Sequence, residues 1–276
     1  MSAIAAAFAR CREEERAAFV PFLMGGDPDL ATSARLLEAL ARGGADVIEV
    51  GVPFSDPVAD GPVNQRAAGR ALAAGARLPA VLEMIARCRE RVAVPIVLFT
   101  YYNPIHSRGI DRFAEQAAAS GIDGVLCVDL PPDEAEAEWV PALHASGIDT
   151  VFLVAPTSTK ERIARAAALS SGFVYYVSRT GVTGGGTRVP DDMAKEIKRA
   201  RKRVELPLVV GFGISEPAQA AAVGRLADGV VVGSALVRMV EEGAGEADLP
   251  ERLEARVREF AEALREKPAR RRFFGG

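Results

Sequence analysis

Eight short apolar runs constrain the fold of this chain more than any other feature. They are FVPFLM (19–24), VIEVGV (47–52), PIVLFTY (95–101), GVLCVDL (124–130), TVFLVAP (150–156), FVYYVS (173–178), LPLVVGFG (206–213) and GVVVGS (229–234). Each is apolar almost throughout rather than alternating, the pattern of parallel strands covered on both faces. Between them lie Ala-, Leu-, Glu- and Arg-rich segments with helical spacing, such as Ile110, Phe113, Ala114 and Ala117. Eight strand–helix units with right-handed crossovers close naturally into an α/β fold of the (β/α)8, TIM-barrel type. An extra helix is expected around Ala3–Arg16 before the first strand, and an amphipathic last helix carries Leu253, Val257, Phe260, Ala261 and Leu264 on one stripe. The doubly wound open sheet shares the alternation, but no GxGxxG follows the first strand. A length of 276 residues suits one barrel domain spanning 1–276, with 268–276 expected as a frayed, flexible tail.

Composition removes several classes of function. The formal charge is −3 with 26% charged residues, which implies no nucleic-acid partner. No apolar run approaches the roughly 18 residues of a membrane span, and the first residues carry acids, unlike a signal peptide, so a cytoplasmic protein is expected. Three widely spaced cysteines, Cys11, Cys88 and Cys127, fit reduced thiols. With only two histidines, His106 and His144, in no ligand pattern, no metal site is expected. Acid–base chemistry then falls to carboxylates, tyrosine or lysine.

The strand ends carry candidates for that chemistry. Glu49 interrupts the second apolar run at its C-terminal end, the end at which barrels place catalytic groups. By the two-residue period it shares a side with Val47 and Gly51; facing inward, it meets a dry interior that raises its pKa and lets it hold a proton near neutrality. The alternative is a structural Glu that caps a neighbouring strand or pairs with an arginine. The following PFSDPVADGP has the look of a lid; in it Asp56 reads as a turn or cap residue or a partner contact, and Asp60 as either a turn or cap residue or a functional group. Glycines at Gly213 and at Gly233-Ser234, and the glycine-rich stretch 181–188, follow strands six to eight. Together they favour a phosphate-bearing substrate held by backbone N–H groups, with Arg179 or Arg188 as an assisting cation.

The segments FVPFLMGGDP, DVIEVGVPFSDPVADGP, TYYNPI, FLVAPTS, GFVYYVSRTGVTG, GFGIS and GSALV, in this order, resemble the tryptophan synthase α subunit family over nearly the whole chain. EVGVPFSDPVADGP is the most specific piece. The resemblance implies retro-aldol cleavage of indole-3-glycerol phosphate to indole and glyceraldehyde 3-phosphate, with no metal or organic cofactor in this subunit. It implies that Glu49 protonates the ring at C3, that Asp60 stabilises charge on the indole N–H, and that Tyr175 lies near the glycerol and Glu49. It further implies an indole pocket of Phe22, Thr100, Leu126, Leu153 and Phe212, and phosphate contacts from Gly184, Gly213, Gly233 and Ser234. Loop closure would involve Arg179 and Thr183. The partner implied is a β subunit using pyridoxal phosphate, in an α2β2 heterotetramer that receives indole through a tunnel, with 53–60 and Asn103-Pro104 at the contact. For Phe22 and Phe212, core packing is the local alternative, and Tyr175 rather than Tyr176 is assumed to turn inward.

The chain departs from the family pattern at Val63-Asn64-Gln65, where Thr-Ile-Gln is common, in the glycine-rich loop after Gly184, and in its RRRFFGG end. Two rival readings are a phosphosugar isomerase, epimerase or prenyl-type transferase on the same scaffold, and a non-catalytic barrel that only activates a partner. Intact Glu49 and Asp60 argue against the second.

Overall fold

Each of the eight apolar runs forms one strand: β1 (Ala18–Met24), β2 (Ile48–Gly51), β3 (Ile96–Thr100), β4 (Gly124–Cys127), β5 (Asp149–Val154), β6 (Val174–Val177), β7 (Leu208–Gly211) and β8 (Gly229–Val232). The computed structural model describes residues 1–177, 189–211 and 213–265. Every strand pairs in parallel with the next, and β8 pairs with β1, so the sheet closes into a barrel. Helices cover its outside, among them Leu30–Arg42, Leu78–Cys88 and Leu249–Arg265. The last of these buries Leu253, Val257, Phe260, Ala261 and Leu264, the stripe expected from its spacing.

The expected first helix, Ala3–Glu13, closes the N-terminal mouth. It begins at Ser2, whose hydroxyl accepts the N–H of Ala5 at 3.2 Å, and it buries Ile4 and Phe8. Phe8 packs against Phe173 with ring centroids 5.7 Å apart. Ile4 reaches the start of β4, where a Cβ on Gly124 would lie 2.7 Å from its Cδ1. A side chain at position 124 would therefore push the plug outward. Burying the two plug side chains contributes about 2 kcal/mol each.

The same end of the barrel is stitched by aspartates. Asp46, Asp123 and Asp228, which stand just before β2, β4 and β8, accept the backbone N–H groups of Phe19, Ile96 and Leu208 at 2.9, 2.8 and 2.7 Å. Each carboxylate thereby satisfies a strand N–H at the barrel's staggered rim. Each also meets an arginine: Arg16, Arg89 and Arg201, respectively. With the N-terminal mouth plugged and stitched, the open end is the C-terminal one, and Glu49 lies there.

Candidate active site

Glu49 is 1% exposed, and its register neighbours are Phe22 on β1 and Val97 on β3. Its Oε1 is buried with no hydrogen-bond partner. Among the described residues no arginine pairs with it, which leaves the reading in which Glu49 serves an ion pair without support there. Burial alone raises its pKa to about 8. A carboxyl so buried holds its proton, because ionisation there loses much of the solvation it has in water.

Glu49 borders a cavity of about 400 Å³ at the C-terminal mouth. Phe22, Phe99, Val128, Leu153 and Val177 supply apolar walls, and Asp60, Asn64, Tyr175, Gly213, Gly233, Ser234 and Arg238 the polar groups. Phe22 and Phe99 meet edge to face, 5.5 Å between centroids, which leaves flat aromatic surface beside the carboxyl.

The pleat decides between the two tyrosines of β6. Tyr176 turns into the helix layer, where its hydroxyl donates to Glu196 at 3.1 Å, while Tyr175 lines the cavity. Burial, then the nearby Glu49 carboxyl, hold the Tyr175 pKa well above its ordinary value, so it stays a neutral phenol. Its ring is accommodated by Gly211 of β7: a Cβ there would stand 2.2 Å from the phenol oxygen. Glycine at 211 is thus a steric requirement of Tyr175.

Asp60 closes the loop after β2 and faces the same cavity. The Tyr101 hydroxyl, just past the end of β3, donates to its Oδ2 at 2.8 Å and accepts the Ala59 N–H at 3.0 Å. Asn64, in the first turn of the helix Pro62–Ala73, donates from Nδ2 to Oδ1 at 3.4 Å. Burial raises the Asp60 pKa, and these two donors oppose that rise. Phe54 packs on the Tyr101 ring at 5.0 Å, so one tyrosine fastens the loop at two points. Asp56 lies outside the cavity, exposed, accepting from Ser55 at 2.6 Å.

At another part of the wall, Gly233 and Ser234 open the helix Ser234–Glu242 directly after β8, and Gly213 follows β7 with φ +67°. The first N–H groups of such a helix have no partner inside it, and they add a favourable dipole for an anion.

Of the residues anticipated from the sequence, Glu49, Asp60, Tyr175, Phe22, Leu153, Gly213, Gly233 and Ser234 come together around this one cavity. Thr100 does not. It is fully buried on the other side of the β3 pleat, its hydroxyl donating to the Tyr101 carbonyl at 3.0 Å, and Phe99 takes the wall position. Leu126 shares the side of Val128 but lies one pleat deeper, beside Phe99 in register, and does not line the cavity. Arg179, Thr183, Gly184, Arg188 and Phe212, with the tail 268–276, lie outside the described residues. Tyr101, Asn64 and Arg238 were not singled out from the sequence as site residues. Among the described residues no group of three His, Cys, Asp or Glu side chains is placed to hold a metal ion, and no helix is long and apolar enough to cross a membrane.

A family model described as tryptophan synthase alpha chain matches residues 8–267. The chain belongs to that family. The tryptophan synthase alpha chain of Geotalea uraniireducens is 51% identical over 253 residues, 92% of this chain and 94% of its own length. That of Citrifermentans bemidjiense is 54% identical with the same coverage. Among solved structures, tryptophan synthase subunit alpha from Legionella pneumophila superposes with a TM-score of 0.88 at 34% identity, covering 96% of this chain and 98% of that one. A chain of tryptophan synthase from M. tuberculosis, in an aminoacrylate- and BRD0059-bound form, superposes at 0.86 and 38% identity, covering 96% and 99%.

Proposed function

We propose that Glu49, Asp60 and Tyr175 carry out, in this cavity, the reaction that family membership assigns to the chain. The chain is a lyase of tryptophan biosynthesis that cleaves indole-3-glycerol phosphate. Glu49 supplies the acid. Its proton passes to C3 of the indole, the ring nitrogen gains positive character, and the bond from C3 to the glycerol carbon becomes breakable. The resulting carboxylate takes the proton from the hydroxyl on that carbon as the bond breaks. Its electrons return to the ring, indole and an aldehyde form, and Glu49 ends protonated as it began.

Asp60 places an anion where the ring nitrogen becomes electron-poor, an interaction stronger in the transition state than in the ground state. Tyr175, neutral and packed beside Glu49, keeps water from the carboxyl and offers a hydroxyl to the glycerol. Gly213, Gly233 and Ser234 hold the phosphate, with Gly184 proposed beside them. Phe22 and Leu153 flank the indole together with Phe99, and Thr100 and Leu126 support the wall from behind and below; Phe212, Arg179 and Thr183 are proposed at the closing side. No cofactor takes part in this scheme. The partner is a pyridoxal-phosphate β subunit in an α2β2 assembly, meeting the exposed loop 53–60 and Asn103-Pro104, and supplied with indole in the cytoplasm.

The observation that carries the reading is the unpaired, buried Glu49 carboxyl sharing one cavity with Asp60 and the glycine turns. The test is indole release from indole-3-glycerol phosphate by wild type, Glu49→Gln and Asp60→Asn, with and without a β subunit. Release abolished by the first variant and sharply reduced by the second is expected; wild-type turnover in Glu49→Gln refutes the assignment.

A further inference from the structure

We propose that Arg238 is the cationic arm of the phosphate subsite, a substrate-binding residue on the helix that Ser234 begins. The proposal rests on the reading of the cavity given above. Arg238 stands four residues after Ser234, on the same helix face, and lines the same cavity as Gly213, Gly233 and Ser234. Side chains on a helix lean toward its N-terminus, so the guanidinium is carried back over the turn that holds Gly233 and Ser234.

The charges around it leave it available. Glu241, at i+3 on the same helix, is well spaced to pair with it, but both Glu241 oxygens are committed to Arg66 and Arg70 of the helix Pro62–Ala73, at 2.7 Å each. Arg70 in turn is shared with Asp27 at 2.8 Å through two parallel hydrogen bonds. Glu242, at i+4, makes no ion pair with Arg238, and among the described residues Arg238 has no hydrogen-bond or ion-pair partner at all. It is also the sole lysine or arginine among the described residues that line this cavity, whose other ionisable groups are Glu49, Asp60 and Tyr175. A phosphate dianion in a site that also holds carboxyls is bound more tightly by a cation together with backbone N–H groups than by the N–H groups alone. The exposed Arg238 guanidinium supplies that cation at the mouth, where it steers the substrate tail first and keeps the indole end for Glu49 and Asp60.

The experiment compares the full-length chain with Arg238→Gln and Arg238→Lys. Two readouts are taken: KM and kcat for indole-3-glycerol phosphate, and the dissociation constant of inorganic phosphate by calorimetry. Arg238→Gln should raise KM and weaken inorganic phosphate about tenfold each, with kcat changed less than about threefold. Arg238→Lys should fall between the two, keeping the charge without the two-pronged geometry. The wild-type advantage should shrink at high salt. Unchanged KM and phosphate affinity in Arg238→Gln overturn the proposal; should that variant fail to fold, wild-type phosphate affinity in Arg238→Lys overturns it equally. If the wild type binds inorganic phosphate through Arg238 yet releases no indole, the lyase reading fails and the phosphate arm stands. If indole is released with KM indifferent to residue 238, the reverse holds.

Discussion

Replacing Glu49 by glutamine should stabilise the protein increasingly as pH rises. The glutamate is fully buried, and burial raises its pKa from 4.5 to about 8. A carboxyl with a raised folded-state pKa costs nothing below its unfolded value, where it is protonated in both states. Between the two values the unfolded chain ionises and the folded one does not, so stability drains away as pH climbs, and the loss levels off above the folded pKa. At about 1.4 kcal/mol per unit, the interval amounts to about 3 kcal/mol at pH 7 and about 5 kcal/mol at pH 9. Glutamine matches the shape of the protonated acid and cannot ionise, so it escapes the whole loss. Urea unfolding of both proteins from pH 4.5 to 9, with their difference plotted against pH, reads the effect. Near-equal stability at pH 4.5 and a gap that opens through neutrality is the expected result. A gap independent of pH would refute the argument, for it would mean that Glu49 ionises in the barrel as easily as in water.

Other parts of the site and fold make separate demands. Gly211→Ala puts a methyl 2.2 Å from the Tyr175 oxygen; displacement of the ring should cost about 1–3 kcal/mol in urea unfolding and lower kcat. Tyr101→Phe removes the donor to Asp60 and the acceptor for Ala59. The Asp60 pKa then rises further, the acid limb of the rate profile moves to higher pH, turnover falls about tenfold, and the Ala59 amide exchanges faster in hydrogen-exchange measurements. Asp46→Asn leaves Arg16 without its buried partner and should cost about 3–5 kcal/mol in chemical unfolding at pH 7. The Asp46 pKa is lowered, with Arg16 and the Phe19 N–H opposing the effect of burial. Its contribution is therefore present above the unfolded value and disappears as pH falls, so wild type and variant should converge in acid.

The barrel was legible because strands buried on both faces leave continuous apolar runs, and eight of them alternate with helices. Glu49 was legible for the same reason, since a charge inside such a run stands out. That continuity also hides the phase of a strand. In PIVLFTY both sides of the pleat are apolar, so nothing local distinguishes Phe99, which lines the cavity, from Thr100, which does not. The supports of Asp60 escaped for another reason. Tyr101 lies 41 residues away in sequence, and only closure of the barrel brings its hydroxyl to the carboxylate. Asn64 was noticed as a departure from the family pattern, but its bond to Asp60 depends on how the helix begins after Gly61-Pro62. Arg238 had a faint local signal, its i+4 spacing from Ser234. Its freedom from partners follows from Arg66 and Arg70 occupying Glu241, a contact across some 170 residues.

All of the chemistry depends on the protonation of a single group, so the most direct measurement is the titration of Glu49 itself. Infrared difference spectroscopy of the full-length chain, with Glu49→Gln subtracted to isolate the one carboxyl, follows its C=O band with pH. The account predicts a protonated carboxyl at neutrality that ionises near pH 8, in step with the loss of indole release on the alkaline side. A carboxylate already formed by pH 5, in an enzyme that cleaves its substrate at pH 7, would contradict it.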